Sequence, residues 1–230
     1  MSKAQNELSY ILFPKRCALC GEVIELDKTL CEECESLKFI DGKICKKCGR
    51  EVKRCTCSRE NFSPEYKSFC APYYFDGSVR KAVYRLKNRE FPEIIPAMSE
   101  SVVKAVRLRF EDVSFDVVTC VPMSKIRRFR RGYNQSELLA KETALIIGCD
   151  FESLMYKRRY TRPQRKSSAR KRRVNLYNAF AMLEGKDVRD KTVLIVDDVK
   201  TTGSTLSELA YTLKDAGAKA VYAASFSVTK

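Results

Sequence analysis

The run Val193-Leu194-Ile195-Val196-Asp197-Asp198-Val199-Lys200-Thr201-Thr202-Gly203-Ser204-Thr205-Leu206 joins four apolar β-formers to two adjacent carboxylates, a hydroxyl-rich turn around one glycine, and a new helical pattern. An unbroken apolar run reads as a strand buried on both faces, the condition of a strand inside a parallel sheet. Asp197 and Asp198 then stand at its carboxyl end, and in open α/β sheets ligands bind in the crevice beyond that end. Carboxylates there hold sugar hydroxyls or a hydrated cation. A Thr/Gly/Ser turn at a helix N-terminus presents backbone N–H groups and the positive end of the helix dipole to a phosphate. One loop is therefore equipped for a sugar and for its phosphate.

The surrounding pattern alternates strands and helices. Tyr73–Phe75, a turn at Asp76-Gly77 and a helix to about Asn88 come first, with Val79, Val83 and Leu86 at helical spacing. Arg80, Lys81, Arg85 and Lys87 of that helix are expected to form a solvated basic face. Ile94–Phe110 reads as an amphipathic helix and Phe115–Pro122 as a strand stopped by its proline. Asn134 with Glu137 three residues on is a capping-box start for a helix to about Ile147. After Lys191–Asp197, a helix with Leu206, Leu209, Ala210 and Leu213 inward ends at Gly217 as its C′ residue, and Ala220–Val228 is the last strand. This order predicts an α/β fold: right-handed crossovers and a mostly parallel sheet flanked by helices. Ser58 to Pro72 is expected to link it to a small N-terminal module, giving units over 1–62 and 63–230.

Eight of the eleven cysteines define that module. Cys17 and Cys20 pair with Cys31 and Cys34; Cys45 and Cys48 pair with Cys55 and Cys57. A C-x-x-C turn with glycine after its second cysteine aims two thiolates at one tetrahedral centre, and two such pairs complete a closed structural zinc site. The second quartet ends in C-x-C, a tighter closure. A disulfide scaffold would need an oxidising compartment, and Met1 to Pro14 lacks a signal-peptide pattern. Leu8, Ile11, Leu12 and Phe13 there are expected to dock on the protein's own core. No apolar run approaches the ~18 residues of a membrane span, so a cytoplasmic protein is expected. A module this small gains its folding energy from metal, so chelation should unfold residues up to about 60 and spare the sheet. Cys70, Cys120 and Cys149 read as core residues.

Charge narrows the partners. Ser124–Gly132 carries Lys125, Arg127, Arg128, Arg130 and Arg131 without an acid. Leu154–Asn175 carries Lys157, Arg158, Arg159, Arg162, Arg165, Lys166, Arg170, Lys171, Arg172 and Arg173, again without one. Those fifteen charges equal the net +15 of the chain, a concentration that suits polyanion binding. Phe129, Tyr133, Tyr156 and Tyr160 are interleaved with them, as in surfaces that stack single-stranded bases. The other reading of these segments is a solvated charge cluster. Histidine is absent, so proton transfer falls to Asp, Glu, Lys, Tyr or water.

An acidic strand end also occurs in Walker B strands, but none of the nine glycines opens the required G-x-x-x-x-G-K-[ST] loop. A receiver-type pocket needs an upstream pair of aspartates that this sequence does not supply, and a plain N-cap turn leaves the hydroxyl run unexplained. Val193–Leu206 closely resembles the phosphoribosyl pyrophosphate signature of type I phosphoribosyltransferases. With Pro122, Arg131-Gly132-Tyr133-Asn134-Gln135, Thr161-Arg162-Pro163-Gln164, Arg172, Asn175 and Ala179-Phe180 in this order, the chain resembles the ComF family along essentially its whole length. That family joins an N-terminal zinc ribbon to a phosphoribosyltransferase-like domain.

The resemblance implies roles for particular residues. Asp197, Asp198 and Arg131 form the implied catalytic set, the aspartates holding the ribose hydroxyls with Mg²⁺ nearby. Thr201, Thr202, Gly203, Ser204 and Thr205 wrap the 5′-phosphate, Lys200 is counted with them as substrate-binding, and the turn at Pro122 and Met123 takes the pyrophosphate with Arg131 as its partner. The basic stretch from Arg158 to Arg173 falls where these enzymes carry a flap. Arg127, Arg128, Arg158, Arg159, Arg170, Lys171, Arg172 and Arg173 are the nucleic-acid-binding candidates. Implied partners are phosphoribosyl pyrophosphate, single-stranded DNA and proteins of the DNA-uptake machinery; implied cofactors are structural Zn²⁺ and Mg²⁺. Two alternatives stand beside competence-linked DNA handling: a transferase acting on an unidentified acceptor, and a nucleic-acid-binding protein with a relic pocket.

Overall fold

The computed structural model describes residues 14–58, 60–88, 94–158 and 179–230. Its strands are β1 (Ser68–Cys70), β2 (Tyr73–Tyr74), β3 (Val117–Cys120), β4 (Asp150–Phe151), β5 (Met155–Lys157), β6 (Phe180–Met182), β7 (Thr192–Lys200) and β8 (Ala220–Val228). Its helices are α1 (Glu32–Glu35), α2 (Gly77–Lys87), α3 (Ile94–Arg109), α4 (Lys125–Arg131), α5 (Gln135–Ile147) and α6 (Ser204–Asp215). The main sheet runs β1-β8-β7-β3-β4 with β2 also on β8, and every pairing in it is parallel. β5 and β6 form a separate antiparallel ladder.

The strand read first from the sequence is at the centre, and Val193, Leu194, Ile195 and Val196 are all fully buried. One face of the sheet packs against α2, α3 and α5, and the other against α6 and the β5–β6 ladder. β7 is longer than expected because β8 stays paired with it to Lys200↔Val228, whereas β3 stops at Cys120↔Val196. From Asp197 onward β7 therefore has a strand on one side only. That one-sided end is the crevice.

Three expectations change. Ser68–Cys70 lies within the expected linker but pairs with Tyr222–Ala224 as an edge strand, because Phe69 and Cys70 are buried between the two structural units. The basic residues of α2 are not uniformly solvated: Arg80 and Lys81 are exposed, but Arg85 donates to the carbonyls of Cys17 and Leu19 at 3.0 and 2.9 Å, and Lys87 pairs with Asp198. Glu137 turns to Arg128 and Lys141 at 3.2 and 2.9 Å, while Asn134 caps α5 by accepting from the Ser136 N–H. Cys70 and Cys120 are buried as expected, and burial pushes the Cys120 thiol up to about 12. Cys149 is only half-buried.

The cysteine module is built into the sheet. Cys17, Leu19, Cys20, Ile24 and Cys34 share a core with Val83 and Leu86, and Ile40, Cys48 and Cys57 share the other with Phe69 and Ile195. Its backbone also covers the β1–β2 edge: Phe69 N–H donates to Lys46 O at 2.9 Å and Ile40 N–H to Pro72 O at 2.7 Å. An open edge is a template for unwanted pairing, and this cover removes it.

Chelation is therefore expected to reach beyond the module. Structural zinc supplies on the order of 10 kcal/mol to small ribbons. Hydrogen exchange after zinc removal should show deprotection of the amides of Ile40 and Phe69, with Leu194–Val196 still protected. Deprotection that stops before Ser68 would instead restore the picture of a separately folding appendage.

Candidate functional site

Each cysteine quartet gathers its sulfurs within 4.8 Å of one another. Cys20–Cys31, Cys45–Cys57 and Cys48–Cys55 are 3.5, 3.9 and 3.7 Å apart, against the roughly 3.8 Å between sulfurs of a tetrahedral centre with ~2.3 Å bonds. The residues fit zinc, including the C-x-C closure. Burial works against the Cys17 thiolate, but backbone N–H groups of Cys20, Cys31 and Leu19 outweigh it and bring Cys17 down to about 7. Cys45 reaches about 7 in the same way, with the amides of Cys48 and Lys47 overcoming burial. Gly49 follows the second knuckle at φ +75°, and a Cβ on it would lie 2.5 Å from the Phe69 ring. Only glycine satisfies both the turn and that approach.

At the crevice the two aspartates have different partners. Asp197 Oδ1 accepts from Ser136 Oγ at 2.6 Å and from the Asp198 N–H at 2.9 Å. Asp198 Oδ2 lies 2.7 Å from Lys87 Nζ. Burial pushes the Asp197 carboxyl well up, and the neighbouring Asp198 charge adds to it. Burial also raises Asp198, but the Lys87 ammonium more than offsets this and holds it below the usual range. The pair thus combines one carboxylate stabilised in its charged form with one disfavoured in it.

The loop after β7 starts α6. Gly203, at φ +79°, is buried, Ser204 is buried, and Thr202 Oγ1 lies 3.0 Å from Ser204 Oγ. Thr201 is exposed, and Thr205 is half-buried in the first helical turn. Lys200, at the end of β7, is buried. Its side chain passes beneath Gly203, whose Cβ would meet Lys200 Cε at 2.7 Å, and its ammonium donates to Cys48 O at 3.3 Å. It lies over the rings of Phe62 and Phe69, and burial pushes it down to about 8. Lys200 thus ties the loop to the second cysteine quartet.

Pro122 and Met123 follow β3, half-buried, and Ser124 caps α4 by accepting from the Arg127 N–H at 3.4 Å. Among the described residues, Lys87, Asn88, Arg127, Arg130 and Arg131 line a cavity of about 390 Å³, four of them cationic. The Arg131-Gly132-Tyr133-Asn134-Gln135 segment holds this region together. Arg131 Nη1 donates to Gln135 Oε1 at 2.5 Å, Tyr133 OH donates to Leu86 O, and Asn134 Nδ2 donates to Val121 O at 3.0 Å. Lys87, paired with Asp198, also lines the cavity that Arg131 borders. Arg128 is drawn to Glu137, and Arg158 is exposed beyond β5. Arg159, Arg170, Lys171, Arg172 and Arg173 lie outside the described residues, as do Thr161 to Gln164, Asn175 and the docking segment at Leu8–Phe13.

Sequence reasoning missed Ser136 and the placements of Lys87 and Asn88. Ser136 directly follows the Asn134-Gln135 helix start, and its nearness to that cap was the available signal. Lys87 offered none, since its partner is 111 positions further along.

Comparison with known proteins follows the same division. Residues 8–71 match the double zinc ribbon domain and residues 134–227 the phosphoribosyl transferase domain. The chain is 31% identical over 209 residues to the DNA utilization protein YhgH of Escherichia coli, spanning 89% of this chain and 86% of that one. It is 28% identical over 220 residues to competence protein F of Haemophilus influenzae, spanning 91% and 95%. It is 26% identical over 217 residues to competence protein ComFC of Bacillus subtilis, spanning 90% and 87%. Among the described residues no helix is long and apolar enough to cross a membrane. With both domains in sequence and similarity along nearly the full length of these relatives, the chain belongs to the ComF family.

Proposed function

We propose that the crevice binds phosphoribosyl pyrophosphate with Mg²⁺ and that the protein serves single-stranded DNA handling in DNA uptake or utilization. The observation that carries this reading is a three-part arrangement: a hydroxyl loop at the start of α6, the Asp197–Asp198 pair, and the cation-lined cavity. A 5-phosphoribosyl group with a 1-diphosphate has a phosphate, a diol and a diphosphate in that order. The amides at the start of α6 suit the 5′-phosphate. The aspartates suit the ribose hydroxyls, and Arg127, Arg130 and Arg131 suit the diphosphate.

Mg²⁺ takes oxygen ligands and keeps several waters, so two aspartates beside a diphosphate fit it. Bound there, it would neutralise diphosphate charge. Glycosyl transfer through an oxocarbenium-like state asks the protein mainly to stabilise a departing anion and a developing positive sugar. A crevice with arginines at one end and carboxylates at the other meets that demand without histidine. A transferase acting on an acceptor not yet identified is therefore the second reading, favoured by this charge arrangement.

The DNA part of the proposal rests on α4. Phe129 is 89% exposed, with Arg127, Arg128 and Arg130 around it. An exposed aromatic among arginines is a platform for an unpaired base, with cations for the flanking phosphates. The names of the relatives, which refer to DNA utilization and competence, support the same reading.

Calorimetry with phosphoribosyl pyrophosphate and Mg²⁺ should detect binding to the wild type and a loss of at least about tenfold in Asp197→Asn/Asp198→Asn, because charge-assisted contacts to ribose and cation disappear. No heat with the wild type would remove the ligand from the reading. For DNA, Phe129→Ala should weaken oligonucleotide binding by about 1–3 kcal/mol, roughly 5- to 150-fold, with no change in thermal stability. Unchanged affinity would exclude α4 from the interface.

A further inference from the structure

Lys200 is a buried lysine directly before the hydroxyl loop, and its partners belong to the second ribbon. It is 2% exposed, donates to Cys48 O at 3.3 Å, and lies 4.9 and 5.4 Å from the ring centres of Phe69 and Phe62. The charged groups around it are the Cys45, Cys48 and Cys57 sulfurs and the Arg50 guanidinium. Zinc holds four such sulfurs as thiolates, and the filled centre carries about −2. A buried ammonium needs compensation of that kind. The second quartet therefore holds Lys200 in two ways, through a carbonyl and through charge.

Gly203 opens α6 directly on top of this arrangement. A Cβ there would meet Lys200 Cε at 2.7 Å, Phe62 Cζ at 2.8 Å and Lys200 Nζ at 3.2 Å. Both supports under the turn are tied to the quartet. Lys200 is tied through Cys48 O, and Phe62 through its own N–H, which donates to Cys57 O at 2.9 Å. The knuckle turns its other carbonyls the same way: Lys46 O accepts from the Phe69 N–H at 2.9 Å and Lys47 O from Tyr66 OH at 2.6 Å. The directions of these three consecutive carbonyls are set by the C-x-x-C turn, which the metal closes. The first quartet is tied elsewhere, to α2 through Arg85.

We infer that Lys200 is a positioning residue that couples zinc in the second quartet to anion binding at the start of α6. A filled quartet seats the Lys200 ammonium and the Phe62 ring beneath Gly203 and so fixes the turn that opens the helix. An empty one withdraws the compensating charge and frees the carbonyls, and the turn loses its seat. This rests on the phosphoribosyl reading above, which supplies the phosphate, and adds that the second zinc centre controls its binding.

The test uses the full chain with both quartets loaded with zinc. Protein is equilibrated with graded amounts of a zinc-selective chelator, with and without saturating phosphoribosyl pyrophosphate in excess Mg²⁺. A brief pulse of N-ethylmaleimide, read by peptide mass spectrometry, then reports which cysteines have lost their metal. Coupling is reciprocal, so bound ligand should raise the chelator concentration that half-empties Cys45–Cys57 by at least about fivefold in the wild type. Lys200→Met keeps an unbranched side chain beneath Gly203 but neither charge nor donor. In that variant the ligand should no longer protect the quartet, and affinity for the ligand by calorimetry should fall at least about fivefold. A side chain that only fills space would leave the protection in place. Persisting protection in Lys200→Met, or unchanged affinity, overturns the inference while the ligand assignment survives. If calorimetry detects no binding to the wild type, the phosphoribosyl reading itself falls and the inference falls with it. Should Lys200→Met fail to fold or to hold zinc, the wild type decides: ligand that protects Cys45–Cys57 no more than Cys17–Cys34 overturns the inference.

Discussion

Two adjacent carboxylates at the end of a buried strand are the constraint around which this molecule is arranged. Asp197 and Asp198 cannot both be taken from water without partners, and β3 supplies none, because its ladder with β7 ends one residue earlier. The partners come from helices. Ser136 reaches Asp197 from the first turn of α5, and Lys87 reaches Asp198 from the last turn of α2. Each helix is then secured in turn, α5 by Asn134 bonding Val121 O and α2 by Tyr133 bonding Leu86 O. Satisfying one acid pair thus places the turn after β3, the start of α5 and the end of α2 around a single crevice.

The cysteine module participates in the same construction. The first quartet holds α2 through Arg85, so the helix that positions Lys87 rests on a ribbon. The second quartet lies under the loop after β7 through Lys200 and Cys48 O, and Arg50 Nε donates to Thr229 O just beyond β8 at 2.9 Å. Two thiolate-rich centres carry negative charge when zinc fills them. Lys200 and Arg85 next to their knuckles are placed to offset it. The ribbons therefore act as a foundation for both ends of the crevice.

Much of the fold followed from local pattern. Val193–Val196 read as an inner strand, the turn around Gly203 as the opening of the next helix, Asn134 as the cap of α5, and the paired cysteines as two convergent centres. Each is a matter of side chains within a few positions of one another, where periodicity and backbone sterics act directly. The charge runs were equally visible, but their geometry was not: Arg127, Arg130 and Arg131 line the cavity while Arg128 from the same helix is spent on Glu137.

The partnerships that build the crevice join distant positions, and no local rule encodes them. Lys87 had the pattern of a solvated lysine at the end of an amphipathic helix, Lys200 that of a residue of the substrate-binding loop, and Ser68–Cys70 that of a linker. Packing reassigned all three: to the counterion of Asp198, to a strut against the second quartet, and to an edge strand on β8. The reason is burial. The sequence specifies which groups are charged or apolar, but their energies in the fold depend on which of them are removed from water together, and that is settled when the helices and ribbons close over the sheet.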